Sequence, residues 1–375
     1  MRTIISGGGT GGHIFPAISI ANAIKELDNE AEILFVGAKG RMEMERVPAA
    51  GYKIEGIPAK GLKRPLYNPA NLLIAIDYIK CLFMAGKILK RFKPDVVVGV
   101  GGYASAAIVA AAAKRGIPVL LQEQNSFAGL VNRKNGKSAG KICVAYEGME
   151  RFFPKEKIAI TGNPVRKDIT GSTPEQKAEG LKHYNLSPDK KCIFVVGGSL
   201  GCRTLNECMK KEIGNGTLFN GDDESVQLIW QCGKYYKDEI DNFMKGRDTA
   251  GIFYSDFIQR MDLAYAAADI VISRAGAGTI SELAIAGKCT IFVPSPMVAE
   301  DHQTHNAMAL VKKNAAAMIK DADASEELTP LVRELLTDSA KREEFEKNIL
   351  QFAKPDAAMQ IAEYCMELAS GKEKR

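Results

Sequence analysis

The sequence predicts an α/β protein of two similarly built domains, each a parallel sheet wound on both sides by helices. Three observations carry this expectation. Short runs rich in β-branched residues alternate with helix-length segments along all 375 residues. Runs such as Val96-Val97-Val98 are apolar at every position, as strands buried on both faces of a parallel sheet are. The succession of strand, glycine turn and helix occurs at the N-terminus and again at Ile193, after Gly162-Asn163-Pro164 breaks regular structure.

Taken in order, Ile4-Ile5 leads into Ser6-Gly7-Gly8-Gly9-Thr10-Gly11-Gly12-His13, and Pro16, Ile18, Ile20, Ala21, Ile24 and Leu27 then follow a helical pattern. Strands are expected at residues 3–6, 32–36, 53–57, 96–100, 119–122, 142–144 and 158–161, with helices between them, for example at 72–90 and 104–115. After the break, strands are expected at 193–196, 227–230, 252–254, 270–273, 290–293 and 316–319. A helix opens at Arg203. Late helices are expected at 330–336 and 340–352, Pro355 interrupts, and 357–368 forms a final amphipathic helix before a hydrophilic tail.

The length exceeds one typical domain, and 46% apolar content supports large cores. A net charge of +5 is too weak to point to nucleic acid. The eight cysteines are scattered without a CxxC pair, which disfavours zinc and fits reduced core thiols. The chain runs straight into a strand, so no secretory leader is expected. The most apolar stretch, Leu72 to Phe83, is broken by Asp77 and Lys80, so no membrane-spanning helix is expected either.

Candidate chemistry lies in the loops that follow strands, because ligands of such sheets bind at the carboxyl ends of strands. Gly7-x-Gly9-x-x-Gly12 matches the dinucleotide fingerprint, and its backbone N–H groups suit an anion. The acid that should end the next strand is missing, for Val36 runs into Gly37-Ala38-Lys39. A nicotinamide dinucleotide is therefore not expected. Val100-Gly101-Gly102-Tyr103 and Gly197-Gly198-Ser199-Leu200-Gly201 repeat the strand-to-glycine pattern.

Arg274-Ala275-Gly276-Ala277-Gly278-Thr279-Ile280-Ser281-Glu282 is the most specific segment. Its glycines open backbone N–H groups to a phosphate, Thr279 and Ser281 carry hydroxyls, and Glu282 can accept two hydrogen bonds from a vicinal ribose diol. The plainer alternative is that Glu282 complements the helix dipole in the first turn while Thr279 caps it. Gln122-Glu123-Gln124-Asn125-Ser126 concentrates amides and carboxyls at a strand end, as sugar hydroxyls require. Asp301-His302-Gln303-Thr304-His305-Asn306 does the same, and its two histidines lack a third ligand for a metal. Asn135-Gly136-Lys137-Ser138 resembles a Walker loop without its upstream glycine. Asp321-x-Asp323 reads as a turn into a helix cap. Lys60, Lys63, Arg64, Lys80, Lys87, Lys90, Arg91 and Lys93 rim the apolar 66–83 segment, a pattern that suits an anionic membrane surface or an ordinary solvated helix.

Together Gly8 to His13, Gly101-Gly102-Tyr103, Glu123-Gln124-Asn125, Gly162 to Arg166, Gly197 to Gly201, Ala277 to Glu282 and Asp301 to Asn306 resemble the MurG family. These are peripheral membrane transferases that add N-acetylglucosamine to lipid I in peptidoglycan synthesis. The resemblance spans nearly the whole chain in family order. It implies a GT-B fold, two facing Rossmann-like domains with parallel sheets and a cleft between them. Residues 1–163, joined by the helix 356–370, would form the acceptor and membrane-associating domain, and 164–355 the UDP-sugar domain.

It further implies that Glu282 holds the ribose hydroxyls and that Ser199, Arg166 and the loop Ala277, Gly278, Thr279, with Ile280 and Ser281 beside it, serve the diphosphate. Ile258 would meet uracil through its backbone, Gln303 would read the sugar, and Asn125 would face sugar and acceptor. Thr10, Gly11, Gly12 and His13 would line the acceptor side. Glu300-Asp301-His302 departs from family members that carry a basic residue before this glutamine. The implied reaction is inverting attack of the lipid-linked muramoyl 4-hydroxyl on the anomeric carbon, with His13 as candidate base. Helix-start amides would stabilise the leaving diphosphate. No metal or cofactor is implied. The implied partners are UDP-GlcNAc, lipid I, an anionic cytoplasmic membrane surface and proteins of cell-wall synthesis and division. A UDP-N-acetylglucosamine 2-epimerase shares the architecture and the nucleotide.

Overall fold

A computed structural model describes residues 1–61, 68–198, 200–216, 218–219 and 226–371. The chain forms two compact units, Met1–Arg166 together with Lys354–Arg375, and Lys167–Ala353. The strands of the first are β1 (Arg2–Gly7), β2 (Glu32–Ala38), β3 (Lys53–Ile57), β4 (Val96–Gly101), β5 (Val119–Glu123), β6 (Lys141–Val144) and β7 (Ile158–Ile160). Those of the second are β8 (Lys191–Val196), β9 (Val226–Gln231), β10 (Ile252–Ser255), β11 (Ile270–Ser273), β12 (Thr290–Phe292) and β13 (Ala317–Met318). All thirteen expected strands are present.

The sheets run β3-β2-β1-β4-β5-β6-β7 and β10-β9-β8-β11-β12-β13, and every pairing is parallel. In each sheet the strand order reverses beside the first strand, between β1 and β4 and between β8 and β11. A ligand crevice opens at the carboxyl ends of such a switch point. The fully buried runs Val96-Val97-Val98 and Ile270-Val271-Ile272 form the central strands there. The final helix, Ala357–Ala369, belongs to the first unit, where Ile361, Ala362 and Cys365 pack into the same core as Ile14, Ile20 and Ile24 of the helix Gly11–Leu27.

One helix start differs from expectation. The helix expected from Pro330 spans Ala324–Thr337 with Pro330 inside it. Glu326 and Glu327 in its first turn favour a start at Ala324, and buried Leu328, Val332 and Leu335 hold it across the proline. The eight cysteines are free and buried, and burial pushes the Cys143 thiol up to about 12.

Lys288 is 7% exposed and donates to the carbonyls of Ala266 and Ala268 at 3.3 and 3.0 Å. Burial lowers its pKa from 10.5 to about 8, so above pH 8 the folded chain binds fewer protons there than the unfolded chain. The cost of burying the ammonium is therefore complete below pH 8 and fades as pH rises toward 10.5. Lys288→Met is expected to stabilise the protein near neutrality by on the order of 1–3 kcal/mol, with the advantage shrinking at alkaline pH. Denaturant titrations of both proteins across that window check this, and a pH-independent difference contradicts it.

Candidate active-site loops

In the first unit, β1 ends at Gly7 and the helix Gly11–Leu27 starts four residues on, so His13 lies in its first turn. Thr10 is the N-cap residue but makes no side-chain cap bond. Its hydroxyl instead meets His13 Nδ1 at 3.2 Å. Thr10 and Gly12 are exposed, and Gly11 and His13 are half-buried. The imidazole lies against the turn after β4. Gly102 there has φ +74°, and a Cβ on it would strike the Gly8 carbonyl and approach His13 Nδ1 to 3.4 Å. That turn must therefore be glycine for the histidine to sit across it. The four expected acceptor-side residues are thus contiguous at one edge of the sheet.

One N–H of the first glycine loop is already taken within the protein. The Gly9 N–H donates to the carboxylate of Glu43 at 3.1 Å, and the Ala38 N–H donates to the other oxygen at 3.0 Å. The acid missing from the end of β2 arrives five residues later and binds the protein's own backbone.

The Gln122 to Ser126 segment also differs from its reading as a sugar-binding row. Glu123 is buried and accepts from the backbone of Asn125 and Gly129 and from the side chain of Asn132, at 2.9–3.1 Å. Burial raises its pKa, and these donors oppose the shift. Gln122 donates to Asn163 Oδ1 at 3.1 Å, Gln124 to the Val100 carbonyl at 2.7 Å, and Asn163 to the Gln124 carbonyl at 3.1 Å. These side chains lace β4, β5 and the segment after β7 together, as buried polar groups must. Asn125 is half-buried, and its amide donates to Glu123 at 3.3 Å. Arg166 is the last residue of the first unit and is half-buried.

In the second unit, Ser199 lies outside the described residues. Gln231, at the end of β9, donates to the Gly198 carbonyl at 3.0 Å and accepts the Ile258 N–H at 3.3 Å. The N–H of Ile258 is therefore engaged within the protein, and its side chain is buried. The helix Ala277–Ala286 starts directly after the β11 turn with Gly276 as N-cap, so Thr279 is not the cap. Ala277, Gly278 and Thr279 are half-buried at the helix start. Ile280 faces the core at 2% exposure, and its N–H bonds to the Gly276 carbonyl at 2.9 Å, so it supports the segment without presenting a group. Ser281 donates to the Ala277 carbonyl at 3.0 Å, which uses the hydroxyl proton inside the helix.

Glu282 stands in the second turn, not the first, and the first turn holds no acid. The dipole explanation therefore loses its basis, because that effect fades within one turn. The buried Tyr265 hydroxyl donates to Glu282 Oε2 at 3.0 Å and orients a half-buried carboxylate. Gln303, in the helix His302–Val311, accepts the Ser295 N–H at 2.8 Å through Oε1, which fixes the orientation of its amide. Glu300 and Asp301, just before that helix, both adopt left-handed backbone with φ +57° and +47°. Arg274 donates to the carbonyls of Val293 and Pro294 and pairs with Asp321, which also accepts from Thr204 at 3.0 Å. Asp321 is thus a tie between loops. Among the described residues, no group of three or more His, Cys, Asp or Glu side chains is placed to hold a metal ion.

Glu43, Asn132, Gln231 and Tyr265 escaped sequence reasoning. Only Glu43 left a trace, as an acid shortly after the strand that lacked one.

Two Rossmann-like units, each with polar loops at the carboxyl edge of a parallel sheet, make the GT-B architecture, and the domain families that match them are those of glycosyltransferases. Residues 3–144 match the glycosyltransferase family 28 N-terminal domain and residues 192–361 its C-terminal domain. Over 372 residues the chain is 51% identical to the UDP-N-acetylglucosamine--N-acetylmuramyl-(pentapeptide) pyrophosphoryl-undecaprenol N-acetylglucosamine transferase of Parabacteroides distasonis, covering 99% of each. The transferase of the same name from Flavobacterium psychrophilum is 47% identical, with 99% of this chain and 98% of that protein covered. The chain belongs to this family of N-acetylglucosamine transferases. Among solved structures, Acinetobacter baumannii MurG superposes with a TM-score of 0.76 at 27% identity, over 98% of this chain and 99% of that one. A UDP-GlcNAc 2-epimerase from Neisseria meningitidis reaches 0.66 at 14% identity over 98% of this chain and 100% of that one, a likeness of fold alone.

Proposed function

We propose that this chain transfers N-acetylglucosamine from UDP-GlcNAc to the 4-hydroxyl of undecaprenyl-pyrophosphoryl-MurNAc-pentapeptide, lipid I, with inversion at the anomeric carbon, giving lipid II. The observation that carries the proposal is 51% identity over 99% of both chains to a transferase named for this reaction. In this reading the second unit, with Arg166 from the end of the first, takes the nucleotide sugar. Glu282, held by Tyr265, accepts the ribose hydroxyls. Amides at Ala277, Gly278 and Thr279, with Ser199 and Arg166, meet the diphosphate as negative charge grows on it. Ile258, its N–H taken by Gln231, meets uracil through its backbone carbonyl, and Gln303, its Oε1 fixed by Ser295, offers its amide to the sugar. In the first unit Thr10, Gly11, Gly12 and Asn125 receive the acceptor, and His13 takes the proton of the attacking hydroxyl. UDP-GlcNAc is a substrate here, and no step calls for a further cofactor.

Acceptor-dependent release of UDP tests the proposal. Transfer yields UDP and a lipid-linked disaccharide when both substrates are present. A 2-epimerase would instead turn UDP-GlcNAc alone into a second sugar nucleotide, and that product would overturn the proposal.

Peripheral attachment to an anionic membrane face is part of the same reading. Among the described residues no helix is long and apolar enough to cross a membrane. The helix Ala70–Phe92 exposes Leu72, Ile76, Ile79 and Phe83 along one stripe, each at 46–72%. The basic rim is weaker than the count of residues implied. Lys60 and Lys80 both reach Asp77, at 2.9 and 3.6 Å, and Arg91 pairs with Glu55. Lys63 and Arg64 lie outside the described residues. Lys87 and Lys90 are exposed, and Lys87 covers the Phe83 ring at 4.6 Å.

Apolar insertion thus contributes more than charge. Replacing Ile79 and Phe83 with serine is expected to weaken binding to anionic vesicles at least tenfold, since each removes about 1.5–3 kcal/mol of buried apolar contact. Reversing Lys87 and Lys90 to glutamate chiefly reduces the salt dependence, at roughly 1 kcal/mol per charge. Unchanged vesicle sedimentation of the serine variant would show that this face is only solvated.

A further inference from the structure

Glu43 sits in the charged segment Arg41-Met42-Glu43-Met44-Glu45-Arg46, yet it is 0% exposed. It opens the short helix Glu43–Ala49 and turns its carboxylate back under the first glycine loop. One oxygen takes the Gly9 N–H at 3.1 Å and the other the Ala38 N–H at 3.0 Å. Two glycines are shaped around it. A Cβ on Gly8 would run into the carboxylate, and one on Gly37 would stand 2.6 Å from Glu43 Cγ. Gly8 does not need glycine for its backbone, since its φ is not in the left-handed region. Space for Glu43 is what excludes a larger residue there.

The loop held in this way leads directly into Thr10 and His13. The Gly8 carbonyl abuts Gly102, the same turn that carries the His13 ring. A charge-assisted bond from a loop N–H to a buried carboxylate is strong and directional. The same bond occupies an N–H that a phosphate would otherwise use, and places a carboxylate beneath the loop.

We infer that Glu43 is a positioning residue for the transfer reaction: by holding the Gly9 N–H and packing under Gly8 it fixes the loop that carries the Thr10–His13 pair. The inference rests on the proposed transfer reading and on the role given there to His13. Glu43 itself touches no reacting atom.

Steady-state transfer with UDP-GlcNAc and lipid I, calorimetry with UDP, and thermal unfolding test it together. Glu43→Gln keeps the shape but sets an amide donor against one of two N–H donors. It is expected to lower kcat roughly 10²-fold through a displaced loop, with UDP affinity unchanged. Gly8→Ala retains the carboxylate and displaces it with one methyl group, so it gives a second arm if Glu43→Gln folds poorly. It should lower kcat similarly. Glu43→Asp withdraws the carboxylate by one methylene and makes room for that methyl, so Gly8→Ala combined with Glu43→Asp should be no slower than Glu43→Asp alone. Wild-type kcat in both Glu43→Gln and Gly8→Ala overturns the inference. A loss of thermal stability with kcat and UDP affinity falling together also overturns it, because Glu43 would then serve the fold alone. A wild-type chain that releases no acceptor-dependent UDP overturns the transfer reading instead, a result distinct from an active wild type with unaltered variants.

Discussion

Replacing His13 with alanine is expected to lower kcat by roughly 10²–10⁴-fold, the usual contribution of a general base, while UDP affinity stays near wild type. The two effects separate because His13 belongs to the first unit and the proposed nucleotide residues Glu282, Ile258 and Gln303 to the second. The Thr10 hydroxyl, 3.2 Å from Nδ1, makes the prediction sharper. If Nδ1 carries the proton and donates to Thr10, Nε2 is the basic nitrogen. If Thr10 donates, the roles reverse. Thr10→Val removes this control and should lower kcat less than the loss of the ring itself. His13→Asn tests a purely hydrogen-bonding role. If the asparagine variant keeps near-normal kcat across neutral pH, His13 orients the acceptor and another group takes the proton.

The second large effect is expected at Glu282. Glu282→Ala should cost on the order of 1–3 kcal/mol of UDP affinity, or about 5–150-fold, through loss of hydrogen bonds to the ribose hydroxyls. Thermal stability should fall only modestly, by on the order of 1 kcal/mol, because the buried Tyr265 hydroxyl loses this acceptor while the helix dipole loses little from a carboxylate in the second turn. Tyr265→Phe removes the hydroxyl that orients the carboxylate and should give a smaller loss in the same direction. Calorimetry with UDP, beside thermal unfolding, checks both variants. A destabilised Glu282→Ala protein with unchanged UDP affinity would assign the Tyr265–Glu282 bond to the fold and remove Glu282 from the ribose.

The strands were legible because their signal is local. Ile4-Ile5 before a glycine run, or Val96-Val97-Val98 between helical segments, states within a few residues that both faces are buried. The helix at Ala324 carried two competing start signals, the turn at Asp321-x-Asp323 and Pro330. Pro330 is a strong local mark of a helix start, and the buried face of Leu328, Val332 and Leu335 outweighs it only once the neighbouring elements are in place. Among the loops, the glycines and Glu282 could be singled out from composition and position after a strand. The function of the Gln122 to Gln124 row was misread, because its amides look the same on paper whether they face a sugar or Asn163 and Val100.

By itself the sequence determined two α/β units, their strands, and which turns stand where a parallel sheet presents its carboxyl edge. Periodicity and glycine placement act over a few residues, so they need no partner to be read. Only the tertiary structure decided which polar groups at those edges are already engaged. Gly9 meets a carboxylate 34 residues away, Ile258 an amide 27 away, and Glu282 a phenol 17 away. Beside the exposed stripe Lys60 and Lys80 find their counter-charge at Asp77, and Arg91 finds its own at Glu55, in the same manner. A buried donor or acceptor must be satisfied, and the fold alone selects the partner that satisfies it.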